Sequence, residues 1–334
     1  MKTTIRIKFQ NGIDRSIAEN EILTDLLDDF IFEETDNPDF ILFGPYGNDI
    51  PLPGRYIRIG YFCENMTPDM GICEWAFGIP REQEILHPRY KRIQWHGLNP
   101  EILIKPDNYD AEQVYNSKSL FCNFLYSHQV YYREEFFRQL SKYKKVDAPG
   151  LSMNNMASID KQYKGNIWER KRQFLHPYKF TIAFENYIYP GYQTEKLYDA
   201  MQANSIPIYF GDPFIGDIFN TQSFLNAPDH LNVVSNSTVN WLEKNSQPDF
   251  IDMRPQFYQN FNHRLKRKLK IAGRNAKMYL QFQKLNFKPI IEKIIELDQD
   301  KEAYMQLLNQ QWLHPAPVNT SAKERWIEIF KQPV

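Results

Sequence analysis

Cysteine is scarce in this chain of 334 residues: there are three, Cys63, Cys73 and Cys122. Their spacing fits neither a disulfide framework nor a metal site, and an odd, unpatterned count suits a reducing compartment. Charge of one sign is missing too. The 40 Lys and Arg are matched by 41 Asp and Glu, a formal net charge of −1. No global field then draws the chain to nucleic acid or to a membrane surface. No apolar run approaches the length of a membrane span. The opening MKTTIRIKFQNG alternates as a strand does and does not read as a signal peptide. There is no internal repeat and no low-complexity segment.

Apolar material is plentiful. Hydrophobic residues make up 42% of the chain and aromatic residues 15%, enough for real cores in two domains of ordinary size. Aromatic faces also serve sugar binding, although packing is their commoner use. Short apolar runs alternate with helical patterns. Thr4–Phe9, Phe30–Phe32, Phe40–Phe43, Tyr56–Cys63, Trp75–Ile79 and Arg89–Trp95 read as strands, and Asn20–Phe30 as a short helix with Ile22, Leu23, Leu26 and Leu27 inward. Such alternation predicts an α/β layer. Gly97–Ser119 is polar and reads as a linker, after which Leu120–Tyr126 opens a second set of strands.

The stretch Phe180–Pro213 organises the rest. Phe180–Phe184 suits a buried strand, Pro190 and Gly191 mark a loop, Thr194 can cap a helix to about Asn204, and Ile206–Phe210 is a strand stopped by Gly211-Asp212-Pro213. This is a βαβ unit, and it places the loop at a strand's carboxyl end. Glu185, Asn186, Tyr192, Glu195 and Lys196 gather there. A helix start holds a phosphate well, Lys196 adds a full charge, Asn186 and Tyr192 add neutral donors, and Glu195 suits sugar hydroxyls. Together they read as a site for a sugar carried on a diphosphate. The plainer alternative is that Glu195 answers the helix dipole while Lys196 is solvated.

The spelling F-E-N, then G-Y-x-T-E-K, then I-P-I-Y-F-G resembles the donor-binding signature of the α1,3/α1,4-fucosyltransferases, glycosyltransferase family 10, bacterial members most of all. The resemblance runs more weakly from about Tyr56 to Asp229. Two positions depart from it: Tyr187 stands where serine is usual and Phe210 where tryptophan is usual. The resemblance implies a GT-B fold, an α/β architecture of two Rossmann-like domains facing across a cleft. On that frame residues 1–115 would bind acceptor, 116–310 would bind GDP-fucose with 231–286 as a possible insertion, and 311–334 would be a tail.

The same resemblance implies site residues. In Y-F-C-E-N-M-T-P-D, Glu64 matches the proposed catalytic base, with Asn65 and Asp69 shaping its loop. Arg133, at a helix start after the loop beginning at Ser127, matches an arginine that contacts the diphosphate. A guanidinium suits phosphate, and a cation there opposes the helix dipole unless an anion answers it. His128 departs from the pattern. Asn186, Tyr192, Glu195 and Lys196 would bind the donor, with Glu185 and Ser127 as additional candidates. The loop Val146–Gly150 with Asn154 and Asn155 would lie near the donor.

The implied reaction is inverting transfer of L-fucose to a GlcNAc or glucose hydroxyl of an oligosaccharide or glycolipid acceptor. No metal is required, and Asp298-Gln299-Asp300 reads as a solvated helix end. Without an N-terminal anchor, the expectation is a bacterial-type cytoplasmic enzyme. His263–Leu285 is basic and amphipathic. It is read as a packed helix with a solvated basic side, as a peripheral inner-membrane contact, or, least in keeping with the overall charge, as a nucleic-acid binder. Two alternatives stay open: a same-fold transferase using another nucleotide sugar, and a glycan-binding protein without turnover.

Overall fold

The structure is a computed structural model and describes residues 2–93, 100–254, 260–315 and 322–333. Strands β1 (Thr3–Gln10), β2 (Phe30–Glu34), β3 (Phe40–Phe43), β4 (Ile57–Phe62), β5 (Trp75–Gly78) and β6 (Tyr90–Arg92) form one sheet in the order β2-β1-β3-β4-β5-β6. Strands β7 (Leu120–Asn123), β8 (Val146–Asp147), β9 (Tyr178–Phe184), β10 (Ile206–Phe210) and β11 (Leu225–Asn226) form a second, in the order β11-β10-β9-β7-β8. Every pairing in both sheets is parallel. β3 and β10 are buried along their whole length, which is why they read as continuous apolar runs.

Both sheets share one winding. The chain starts on an inner strand, steps outward once, then returns to the other side of its starting strand. The reversal falls between β1 and β3 in the first sheet and between β7 and β9 in the second. Helices leave in opposite directions there, so a crevice opens at the carboxyl ends of the strands. Ser127 and Arg133 follow β7, and the loop from Glu185 to Lys196 follows β9.

Several expectations are corrected. Asn20–Phe30 is not one α-helix: a π turn spans Ala18–Ile22 and a 3₁₀ turn spans Thr24–Leu26. Leu23 and Leu26 are still buried, and a spacing of three suits a 3₁₀ turn, where such residues eclipse. The linker is not featureless. Its first residues, to 99, lie outside the described residues, as do Trp95 and His96. Beyond them Asp110 caps a helix over Ala111–Ser117, and Leu103 and Ala111 enter the second core.

Asp298 is not a solvated helix end. Its carboxylate is almost fully buried, receives Tyr143 Oη at 2.9 Å and Lys179 Nζ at 3.0 Å, and pairs with Lys144. Asp300 caps the next helix through Ala303 N. The spelling D-x-D therefore serves packing.

Two further segments tie the halves together. The helix Lys323–Phe330, whose expected first residue Ser321 lies outside the described residues, returns to the first sheet. There Trp326 stacks on Phe77 with ring centroids 4.1 Å apart, and Phe330 meets Phe30 and Phe40. Residues 231–286 supply helices Ser237–Ser246, Phe250–Met253 and Phe261–Phe282. Phe250 packs among Phe43, Phe62 and Met66 of the first domain, while Phe282 packs on Tyr132 and Phe210 of the second. The long helix is turned against its simplest reading. Lys270 and Lys277 face inward to Asp249, Asp252 and Glu243, while Phe261, Leu265 and Leu269 are exposed. Buried Asp252, with the half-buried Asp249 and Glu243, accounts for the rotation, because an unpaired buried carboxylate costs more than an exposed leucine.

Candidate active site

The donor loop begins where β9 ends. Glu185 is wholly buried there, and a buried carboxylate needs donors. Thr194 supplies them: its N–H donates to Glu185 Oε1 at 2.8 Å and its hydroxyl to Oε2 at 2.8 Å. Thr194 stands at the cap position of the helix Glu195–Gln202, but its side chain makes no capping bond. Its hydroxyl is spent on Glu185, so no side chain caps the helix start. Capping by Thr194 is thus corrected in its chemistry, not its place.

Lys196 Nζ lies 3.3 Å from Glu185 and 3.6 Å from Glu195, and it also donates to Thr194 Oγ1 at 2.8 Å. Burial lowers its pKa, but the two carboxylates outweigh this, and the ammonium is held protonated above its ordinary range. Burial pushes Glu185 upward. Glu195 also meets burial, but Lys196 and Lys171 overcome it and hold that carboxyl at about 2. Lys171, from the helix Ile167–Leu175, lies 3.3 Å from Glu195 and 3.1 Å from Asp199. Its basic neighbourhood reads in sequence as a solvated face, and nothing local marks Lys171 out.

Arg133 does not lie open in the crevice. It has no exposed surface. Its guanidinium donates to His128 O at 2.7 Å, Asn186 Oδ1 at 2.7 Å and Phe184 O at 3.3 Å, and sits over the Tyr126 ring at 3.9 Å. It ties the loop after β7 to the loop after β9 and presents Asn186. Ser127 is exposed on the first of those loops. The Val146–Gly150 turn packs behind it: a Cβ on Gly150 would come within 2.2 Å of Tyr126 O, so only glycine fits.

Glu64 lies exposed just past β4, and no ion pair holds it among the described residues. Tyr46, from the loop after β3, hydrogen-bonds to its carboxylate; burial first, then that neighbouring charge, raises the phenol's pKa. Asn65 and Asp69 do shape the loop. Asn65 Oδ1 accepts from Gln247 Nε2 at 2.8 Å, and Asp69 pairs with Arg254.

The two sides meet through Tyr192. Its ring is buried in the first domain's core, and Glu185, Glu64 and Glu195 all lie within electrostatic range of its phenol, which burial above all holds well above its ordinary pKa. Asp212 fixes that arrangement. It accepts from Gly191 N at 2.8 Å, Gln193 Nε2 at 2.7 Å and Phe214 N at 2.9 Å, and pairs with Arg92 of β6 at 3.4 Å. Arg92 also donates to Gly191 O at 3.1 Å. In sequence Asp212 reads only as part of a strand stop, and its partner lies 120 residues away.

Two facing parallel α/β sheets, each wound about a switch point, with a cationic helix start on one side of the crevice and an exposed carboxylate on the other, define the GT-B glycosyltransferase fold. The whole chain superimposes on a crystal structure of an α1,3-fucosyltransferase with GDP-fucose at a TM-score of 0.61 and 18% identity, covering 100% of this chain and 92% of that one.

Residues 116–247 match the family described as glycosyltransferase family 10 (fucosyltransferase) C-term. A fucosyltransferase-like protein of Acanthamoeba polyphaga mimivirus is 37% identical over 121 residues, 34% of this chain and 20% of that protein. An α-(1,3)-fucosyltransferase of Helicobacter pylori is 31% identical over 142 residues, 39% of this chain and 28% of that protein. The matched segment thus spans between a fifth and a third of these relatives. Among the described residues no cluster of His, Cys, Asp and Glu could hold a metal ion, and no helix is long and apolar enough to cross a membrane.

Proposed function

We propose that this protein is a GDP-fucose-dependent, inverting α1,3-fucosyltransferase acting on a GlcNAc or glucose hydroxyl of an N-acetyllactosamine- or lactose-type glycan. The observation that carries the reading is the cluster of Lys196, Glu185, Thr194 and Glu195 around an uncapped helix start at the β7/β9 switch point. Lys196 and the helix N–H groups would take the diphosphate, as cations and dipoles do for a departing anion. Asn186 and Tyr192 would fix the donor, and Glu195, kept ionised, would accept sugar hydroxyls. Arg133 would act one layer behind, holding Asn186 and adding positive charge to the site. Glu64 would take the proton from the acceptor hydroxyl as that oxygen attacks the anomeric carbon and GDP leaves. That transition state resembles an oxocarbenium ion. The paired cations do what a divalent ion does elsewhere, so no metal is invoked.

Release of GDP from GDP-fucose in the presence of N-acetyllactosamine or lactose, with linkage analysis of the product, tests this. A folded protein that turns over none of a broad acceptor panel refutes it. Competing GDP-fucose against GDP-mannose and UDP-sugars in a thermal-shift assay separates it from a same-fold transferase of another donor. Binding of glycans without regard to GDP would instead mark a lectin-like protein.

One observation favours peripheral contact with a membrane surface and a glycolipid acceptor. Phe261, Leu265 and Leu269 are exposed along one face of their helix, beside exposed Arg264 and Lys268. Co-sedimentation with phosphatidylglycerol vesicles tests it; a protein left in the supernatant at low salt argues against it.

A further inference from the structure

The helix Phe261–Phe282 carries one half-buried cation that the fold leaves unanswered. Lys270 and Lys277 are claimed by carboxylates. Arg274 makes no ion pair and donates no hydrogen bond among the described residues, and its Nε is buried without a partner. Its guanidinium sits over the Tyr187 ring, 4.1 Å from the centroid. The polar groups that line the same gap are Asn65 and Gln247, which bond to each other, Ser246 and Glu243 from neighbouring elements, and Lys277 from its own helix. Glu243 is taken by Lys277 at 2.5 Å, and that lysine also donates to Ile188 O at 2.9 Å. An arginine held among amides, an aromatic face and a second cation is unfavourable unless an anion answers it. The ring contact holds the fork in place without neutralising it.

Position selects the anion. The gap that Arg274 lines lies between Asn65, next to Glu64, and Tyr187, next to Asn186. The gap thus joins the loop that carries the proposed base to the proposed donor loop, each through the next residue in the chain. The diphosphate already has Lys196 and the helix start. Tyr187, one of the two departures from the family spelling, thereby serves as the platform that holds Arg274 in this gap.

We propose that Arg274, stacked on Tyr187, binds a negatively charged substituent of the acceptor, a carboxylate, sulfate or phosphate ester, and makes this protein select anionic acceptors. The inference rests on the fucosyltransferase reading. The test is titration of the GDP-loaded protein with N-acetyllactosamine and with its 3′-sulfated form, for wild type, R274A and R274K. The wild type is expected to bind the sulfated form about tenfold more tightly, R274A to bring the two to within about twofold, and R274K to keep part of the preference. Equal affinity of wild type for both forms overturns the inference, and so does failure to bind the sulfated form. An R274A protein whose GDP affinity falls by as much as its preference for sulfate also overturns it, since Arg274 would then be a donor contact. Wild type that binds no GDP refutes the underlying reading as well; GDP bound without charge preference refutes this inference alone.

Discussion

At the scale of single residues, two side chains divide the chemistry, and each has its own signature. Glu64 meets no cation among the described residues and its loop is built by others, so removing its charge leaves the donor site intact. Glu64→Gln is expected to lower kcat by about 10²–10⁴-fold, the range for a positioned base, with GDP affinity unchanged. Stopped-flow or radiolabel transfer beside GDP titration checks this, and a kcat within about threefold of wild type would take Glu64 out of the base role. Lys196 is different because it serves the fold and the ligand together. In Lys196→Ala, Glu185 and Glu195 lose their shared cation. GDP affinity should fall by about tenfold or more, and thermal stability should fall too, because breaking a buried pair strands a charge. A variant with unchanged GDP affinity would mean the diphosphate sits elsewhere.

At the scale of elements, the loop Tyr187–Gln193 is held from both sides. Gly191 has φ +88°, a backbone open to glycine, and a Cβ there would approach Ile79 O to 2.9 Å. Asp212 binds the loop from below and Arg92 of the first sheet from the side. Asp212→Ala would leave Arg92 as an uncompensated buried cation and release Gln193. The expected cost is about 3 kcal/mol in urea unfolding, with a raised KM for GDP-fucose, because the loop is then no longer pre-set. A loss under about 1 kcal/mol would show that the clamp is dispensable. The segment 231–286 acts at this scale as well: Thr67 N donates to Pro248 O, and Phe250 N to Thr67 O, so it is laced directly onto the Glu64–Asp69 loop.

At the scale of the whole molecule, two buried lysines set a pH dependence. Lys105, from the segment joining the two sheets, donates to Leu308 O and Gln310 O and sits over Trp312 at 3.7 Å. Lys118 donates to His176 O and Ala203 O. Neither pairs with a carboxylate among the described residues, and burial lowers each from the ordinary lysine value of 10.5 to about 7. Between those limits the unfolded chain carries more protons than the folded one, so stability rises with pH. Below pH 7 both states hold the protons and this contribution is flat. Chemical denaturation is therefore expected to show greater stability at pH 9 than at pH 7, and Lys105→Met should reduce that gain. A curve flat from pH 7 to 9 would contradict it.

How much of this was legible in the chain follows the range of the forces involved. The parallel α/β layers, β9, the helix from Glu195 and β10 show through local periodicity, and the donor-loop residues are adjacent in the chain, so their gathering needs no folding to be seen. Partnerships across sequence do not show. Asp212 with Arg92 is made only when the two sheets close on each other, and Lys171 with Glu195, Tyr46 with Glu64 and Arg274 with Tyr187 only when separate elements pack. Arg133 looked like a cation at a helix start and became a buried clamp, because Asn186 and the His128 carbonyl reached it first. The sequence by itself determined which groups could hold a sugar diphosphate. Only the tertiary structure decided which of them face the crevice and which hold it open, since burial and the pairing of charge are properties of neighbours and not of the chain.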